Sequence, residues 1–125
     1  QVCDASAECY KSNLTTATEK VVQKLNIPDE KWKITFQSRI GPGWLRPFTD
    51  KELIALGKSD KKRVMVASPS FIADCLETLE EIAIRGKESF IDAGGKEFTE
   101  IKCLNDSKES IECLTYVINK AIGSL

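Results

Sequence analysis

The 125-residue sequence contains no histidine, so it lacks the side chain that proteins use most often as a general base and as a metal ligand. It also contains no Cys-x-x-Cys pair, which excludes zinc-ribbon and zinc-finger arrangements. The five cysteines stand at positions 3, 9, 75, 103 and 113, and this odd, scattered set favours reduced thiols in a reducing compartment, with a cluster or a disulfide as the alternative. Any proton chemistry of this chain must therefore use carboxylates, cysteines, tyrosines or lysines.

Long apolar runs and basic blocks are absent as well. Without a run of about eighteen apolar residues, the sequence predicts no membrane-spanning helix. The 18 basic and 19 acidic residues give a net charge of −1, which argues against a dedicated nucleic-acid binder. A hydrophobic share of 42% predicts a globular chain, and its length predicts one domain, residues 1–125. The chain begins at Gln1 with no Met, signal peptide or transit peptide, so we expect a processed chain or a fragment.

Helix and strand patterns alternate along the chain. A capping box of Thr49 and Glu52 predicts the start of one helix, and Ser107 predicts the start of the last. The predicted order is helix 6–26, strand 32–36, helix 49–57, strand 63–67, helix 71–90, strand 98–102 and a final helix. This alternation predicts an α/β fold, a Rossmann-like parallel sheet flanked by helices. Three strands make a thin sheet, so we expect another strand or a partner domain to complete it.

The carboxyl ends of the predicted strands are where ligands of parallel sheets bind. Those ends lead into segment 37–39, segment 68–70 with the start of the next helix, and segment 103–106, which we expect to converge on one crevice. A Gly- and Pro-rich loop, 38–48, leaves from the same edge and carries Trp44, whose ring suits a flat ligand. The alternative, equally compatible with the sequence, is that Trp44 only covers the surface of the domain.

Asp74, Glu77 and Glu81 recur in the predicted helix 71–90 at spacings that would align them along one side. Partial burial of such a row would raise the pKa of one carboxylate, which could then accept a proton near neutrality. A row of carboxylates can also lead a divalent cation inwards, because hard cations take oxygen ligands. The alternative is a solvated acidic surface balanced by Arg85 and Lys87.

An ordered series of motifs runs through most of the chain. The motifs are FQSR (36–39), GPGWLRPFTD (41–50), PSFIADCLETLEEI (69–82), DAGG (92–95) and CLND (103–106). Together they resemble the carboxyl-terminal domain of the ferrochelatase family, especially of its proteobacterial members, from about Cys9 to Ile122. The family's enzymes insert ferrous iron into protoporphyrin IX, the last step of heme biosynthesis in most organisms, in a cleft between two similar parallel-sheet domains.

The resemblance implies catalytic and metal-handling roles on the acidic segment. Glu77 is similar to the family's catalytic glutamate, which handles protons at the porphyrin or delivers iron. Asp74 and Glu81 match members of an acidic line that conducts the metal with Glu77. This assignment suits the reaction, because a dication entering a porphyrin displaces two pyrrole protons and a base must stand beside the macrocycle.

The resemblance also implies a porphyrin-binding surface on the Gly- and Pro-rich loop. Ser38 matches a contact to a porphyrin carboxylate, and Trp44 matches a tryptophan that lines the cleft. Gln37 and Arg39 flank that contact and are weaker candidates. The segment from Gly41 to Trp44 is one residue shorter than the usual family spacing, which affects the placement of Trp44.

Two further departures from the family concern its catalytic groups. The family's catalytic histidine belongs to the region upstream of this chain, and Arg85 stands where some relatives carry another carboxylate. The cysteine-bearing extension that holds an iron–sulfur cluster in some members has no counterpart. We therefore expect no iron–sulfur cluster and no other cofactor.

The resemblance implies a cytoplasmic enzyme that acts on a porphyrin, does not bind nucleic acid, and requires the absent amino-terminal half of a ferrochelatase. It leaves room for peripheral association with a membrane and for self-association of the chain. Two alternatives stay open. The chain could be a small chelatase that dimerises to form its cleft and acts on sirohydrochlorin or a related tetrapyrrole. It could also be a non-catalytic remnant that binds porphyrin or a protein partner.

Overall fold

A computed structural model describes residues 9–123 and divides the chain into two compact units at the junction of Glu52 and Leu53. Helix α1 spans Tyr10–Lys24, a 3-10 helix spans Asp29–Lys31, and helix α2 spans Thr49–Lys58. Strand β1 (Arg63–Ala67), a π-helix (Glu77–Gly86), helix α3 (Lys87–Asp92), strand β2 (Glu97–Ile101) and helix α4 (Lys108–Ile122) follow. That the chain forms a single domain, residues 1–125, stays a prediction.

Segment 32–36 is extended but does not form the strand that the sequence predicts. Only Phe36 pairs, in a parallel bridge with Phe48: its N–H donates to Pro47 at 2.9 Å and its carbonyl accepts from Thr49 at 3.0 Å. The next bond of such a ladder would run from the N–H of residue 47 to Ile34, and Pro47 has no N–H. Beyond Phe48 the chain enters α2, so the ladder cannot lengthen in that direction either.

Strands β1 and β2 pair in parallel, with Arg63 opposite Glu97 and Ala67 opposite Ile101. β1 lies where the sequence predicts it, and β2 begins one residue earlier than predicted. The π-helix and α3 form the crossover between them, as parallel strands require. A parallel sheet with flanking helices confirms the predicted α/β class, with two strands among the described residues.

The helix between β1 and β2 differs from the predicted helix 71–90 in its start and its winding. Residues 71–75 are irregular, and residues 77–86 have the i→i+5 bonding of a π-helix, so that the Lys87 N–H donates to the carbonyl of Ile82. Its buried side consists of Thr78, Ile82 and Gly86, and Phe90 of α3 is also buried. Ile72, Leu76, Leu79 and Ile82 recur at helical spacing, which predicts an apolar stripe on this helix. That prediction is wrong except at Ile82, because Ile72, Leu76 and Leu79 are exposed.

The helix termini differ in how well the sequence predicts them. Ser107 caps α4 as predicted, because its hydroxyl accepts from the N–H of Ser110 at 3.2 Å. At α2 the predicted capping pair makes other bonds. The Thr49 hydroxyl donates to the hydroxyl of Thr35 at 2.8 Å, and Glu52 forms an ion pair with Lys33.

Apolar side chains are exposed on α4 and on the sheet. The exposed positions of α4 are Ile111, Leu114, Tyr116, Val117, Ile118 and Ile122. On the sheet, Met65 and Ile101 are exposed, although parallel sheets are normally covered on both faces. None of the described helices is both long enough and apolar enough to cross a membrane.

The cysteines do not all follow the sequence expectation of reduced thiols. Cys9 is disulfide-bonded, so that expectation is wrong for this residue. Cys75, Cys103 and Cys113 are free thiols. Sequence spacing alone does not determine cysteine pairing, which is why the composition could not indicate this bond. Cys3 lies outside the described residues.

Candidate active site

The loops that follow β1 and β2 meet at the carboxyl ends of the two strands. The N–H of Asn105, beyond β2, donates to the carbonyl of Ile72, beyond β1, at 2.9 Å. The Asn105 side chain adds two bonds to Asp74: Oδ1 accepts from the Asp74 N–H at 2.8 Å, and Nδ2 donates to Asp74 Oδ2 at 2.9 Å. The predicted convergence is therefore confirmed for these two loops, at the edge where parallel sheets bind ligands.

Asp74 is hydrogen-bonded on both carboxylate oxygens. Oδ2 accepts from Asn105, and Oδ1 accepts from the N–H of Cys103 at 3.2 Å and from the hydroxyl of Thr78 at 3.3 Å. These bonds, the one from Asn105 foremost, hold the pKa of Asp74 below its usual range. Asp74 is therefore ionised at neutral pH, and it connects the end of β2 to the first turn of the π-helix.

Glu77 is the first residue of the π-helix and is half-buried. A hydrogen bond from the Cys75 thiol, followed by one from its own N–H, holds the pKa of Glu77 below its usual range. The expectation of a raised carboxylate pKa is thus wrong for Asp74 and Glu77, because hydrogen-bond donors outweigh burial at both. An ionised carboxylate at this end of a helix is also favoured by the helix dipole.

The acidic line continues from Glu77 to Glu81 and ends at a guanidinium. Because the i→i+5 turn of a π-helix is wide, Glu77 and Glu81 stand about one turn apart on the same side. Arg85 Nη2 lies 3.5 Å from Glu81 Oε1, and Arg85 Nε lies 2.7 Å from Glu80 Oε1. These pairs are solvent-exposed and contribute little to stability, but they offset the negative charge at this end of the line.

The structure modifies the predicted alignment of the three carboxylates. Asp74 precedes the helix, so only Glu77 and Glu81 are helical residues. Across residues 9–123, no group of three or more acidic, cysteine or histidine side chains is arranged to hold a metal ion. The metal-handling roles of Asp74, Glu77 and Glu81 stay predictions.

The Gly- and Pro-rich loop 38–48 and the preceding Gln37 lie in the first unit, and side chains within this segment, residues 37–48, contact one another. The Trp44 Nε1 donates to the carbonyl of Gln37 at 2.9 Å, and the residue is 37% exposed. The Arg39 guanidinium lies 4.6 Å from the centroid of the Phe48 ring, in a cation–π contact. Ser38, between Gln37 and Arg39, has φ of 57°. The four residues predicted to bind porphyrin thus share one structured loop.

A family model described as ferrochelatase matches residues 1–122. The chain belongs to the ferrochelatase family. It is 46% identical over 123 residues to the ferrochelatase of Pseudomonas entomophila (strain L48) and 44% identical over 123 residues to that of Pseudomonas putida (strain W619). It is 44% identical over 109 residues to the ferrochelatase of Opitutus terrae.

The chain spans about a third of the length of these ferrochelatases. The aligned residues make up 94%, 94% and 86% of this chain, but 36%, 36% and 32% of the three relatives in the same order. The family assignment confirms the resemblance that the motifs indicate. The roles assigned through it to single residues, Glu77 and Trp44 among them, stay predictions.

Two residues of this ferrochelatase-family chain matter to the site but were not predicted as site residues. Thr78 is buried, and its hydroxyl accepts from the Cys75 N–H at 3.0 Å besides contacting Asp74. Asn105 makes the bonds that join the two loops. The sequence signals for Asn105 are its place just after a strand, where asparagine usually marks a turn and tolerates positive φ, and its place in the CLND motif (103–106).

Proposed function

We propose that this chain supplies part of an enzyme that inserts ferrous iron into protoporphyrin IX in heme biosynthesis. The observation that carries the proposal is that Asp74 and Glu77, whose pKa values are both lowered, lie at the start of the helix that follows β1, at the carboxyl edge of a parallel sheet, in a chain of the ferrochelatase family. We further propose that the enzyme is cytoplasmic and needs no resident cofactor or iron–sulfur cluster.

Glu77 would serve as the proton acceptor of the reaction. Metal insertion replaces two pyrrole protons by one Fe²⁺, so two protons must leave the macrocycle for each iron that enters. An ionised Glu77 is in the form that can take a proton from a pyrrole nitrogen. Its lowered pKa makes it a weaker base but favours release of that proton to water. Glu81, a turn further along, would pass protons outwards or iron inwards, and the positive charge of Arg85 would end that path.

Loop 37–48 would bind the porphyrin. The exposed part of the Trp44 ring offers an apolar surface for a flat macrocycle, and its bond to Gln37 holds the ring in place. The hydroxyl of Ser38 and the guanidinium of Arg39 are suited to the porphyrin carboxylates. The positive φ of Ser38 supports this role, because such strained backbone is common at binding sites.

The exposed apolar surfaces support a requirement for further protein. The many exposed apolar side chains of α4 and the exposed Met65 and Ile101 of the sheet are unusual for a protein that acts alone. We propose that the amino-terminal part of a ferrochelatase covers them. An isolated chain would then self-associate weakly through the same surfaces.

A chimera tests the proposal. In the Pseudomonas entomophila ferrochelatase, this chain would replace the segment that it matches, and iron insertion would be followed anaerobically with Fe²⁺ and protoporphyrin IX. We expect the chimera to form heme and the chain alone to form little or none. Insertion by the chain alone, rising with the square of its concentration, would favour a homodimeric chelatase instead. A chimera that binds porphyrin without inserting iron would favour a non-catalytic binding protein.

A further inference from the structure

We propose that Asn105 is a positioning residue, which holds Asp74 and the first turn of the π-helix so that Glu77 stands where iron meets the porphyrin. This inference rests on the proposed function. Asn105 lies in the loop after β2, is exposed, and is not among the residues proposed to contact iron or porphyrin.

Asn105 makes four hydrogen bonds, and three of them go to the residues that precede the π-helix. Its N–H donates to the carbonyl of Ile72 at 2.9 Å, and its Oδ1 accepts from the Asp74 N–H at 2.8 Å. Its Nδ2 donates to Asp74 Oδ2 at 2.9 Å and to the carbonyl of Cys103 at 3.1 Å. Only an amide both accepts and donates twice in this way, and aspartate would place a second negative oxygen against Asp74.

The π-helix depends on this contact because it has no side-chain cap of its own. The residues before it, 71–75, belong to no helix or strand, and they are held by both local and tertiary hydrogen bonds. Asn105 supplies three of those bonds, to Ile72 and Asp74, and Asp74 in turn accepts from Thr78 inside the first turn. Glu77 stands between Asp74 and Thr78 in sequence, so a shift of this loop moves Glu77.

The effect on function should exceed the effect on stability. Bonds made by an exposed amide contribute little to the free energy of unfolding, because water replaces them. Partners that orient metal-handling carboxylates matter more, and their loss typically reduces metal affinity or activity about 10- to 100-fold. Asn105 has φ of 49°, so Asn105→Gly removes the amide without straining the backbone.

The test compares Asn105→Gly with Asn26→Gly in the chimera. Asn26 also has a positive φ, 53°, but lies after α1, away from Asp74 in sequence and in the first unit. For Asn105→Gly we expect kcat/KM for Fe²⁺ to fall about tenfold or more, with KM for protoporphyrin and the melting temperature unchanged. Asn26→Gly should keep wild-type kinetics.

Amide hydrogen exchange, followed by mass spectrometry, supplies a readout that needs no turnover. For Asn105→Gly we expect faster exchange in residues 72–79 and unchanged exchange in α4. Unchanged exchange in residues 72–79 would overturn the positioning role of Asn105, whether or not the chimera forms heme. If the chimera forms no heme but Asn105→Gly exchanges faster in residues 72–79, the positioning role stands and the proposed function is contradicted. Faster exchange with wild-type iron kinetics, in an active chimera, would also overturn the positioning role.

Discussion

Gly95→Ala should destabilise the second unit strongly, because the added methyl would enter space that a buried ring occupies. A Cβ at Gly95 would clash with three atoms of the Phe90 ring, Cε1, Cδ1 and Cζ. Gly95 does not have a left-handed φ, so the cost of alanine there is steric rather than conformational. Either the ring or the chain entering β2 must shift.

Phe90 has little room to yield. It is fully buried, its ring centroid lies 6.1 Å from that of Phe98, and its carbonyl accepts from the Gly95 N–H at 2.9 Å. Overpacking a closed core costs about 1–3 kcal/mol, and three simultaneous clashes place this variant near the upper end, about 3 kcal/mol. That is a large share of a typical unfolding free energy of about 5–15 kcal/mol. The melting temperature should fall by roughly 10 °C for a chain of this size.

Thermal and urea unfolding of the chain, followed by far-UV circular dichroism, would measure the effect. Gly123→Ala is the matched control, because Gly123 has φ of −70° and the nearest atom to a Cβ there, the Asn119 carbonyl oxygen, is 3.2 Å away. We expect the control to remain close to wild type. If Gly95→Ala unfolds together with the control, Phe90 does not fill this space and the packing described for the crossover is wrong.

Three further predictions concern binding, helix capping and pH. Trp44→Ala should weaken the binding of metal-free porphyrin about three- to tenfold, since an aromatic contact contributes about 0.5–1.5 kcal/mol; identical fluorescence quenching in wild type and variant would exclude this contact. Ser107→Ala should lower the unfolding free energy by about 1 kcal/mol, whereas Ser110→Ala should not, because the buried Ser110 Oγ has no hydrogen-bond partner among the described residues. Equal losses of unfolding free energy in the two serine variants, measured by urea denaturation, would contradict this prediction. Because the pKa of Asp74 is lower in the folded chain, the ionised carboxylate adds to the free energy of unfolding at pH values above its unfolded-state pKa of about 3.9. That contribution is lost as the pH falls through the lower pKa of the folded state. The unfolding free energy of wild type should thus fall more than that of Asp74→Asn between about pH 5 and about pH 2. The same fall in both proteins, measured by urea denaturation, would refute this prediction.

The elements that sequence predicts well are those that local patterns determine. β1 is a short run of strand formers, and the structure has it at the predicted residues 63–67. The serine that caps α4 acts through its own helix, so Ser107 could be identified without knowledge of any other element. The convergence of the loops after β1 and β2 follows from parallel pairing alone, and the Asn105–Ile72 bond confirms it.

The features that sequence missed depend on contacts distant in the chain. Segment 32–36 has strand composition, but its partner segment contains Pro47, which cannot continue the ladder. The helix after β1 begins at residue 76 rather than 71 because Asn105, from another loop, holds residues 72–74. The pKa of Asp74 is lowered for the same reason, and no pattern in the acidic segment itself indicates that donor.

The kcat of Glu77→Gln, compared with that of Glu80→Gln in the chimera, tests the role of the π-helix most directly. Glutamine keeps the size of both side chains, and both residues stand on the same helix, so effects on folding should match. Glu80 is paired with Arg85 at 2.7 Å and has no assigned part in the reaction. We predict that Glu77→Gln lowers kcat by about 100-fold or more, the usual scale for a lost acid–base group, while Glu80→Gln stays near wild type. Equal kcat values for the two variants would contradict the assignment of proton transfer to Glu77.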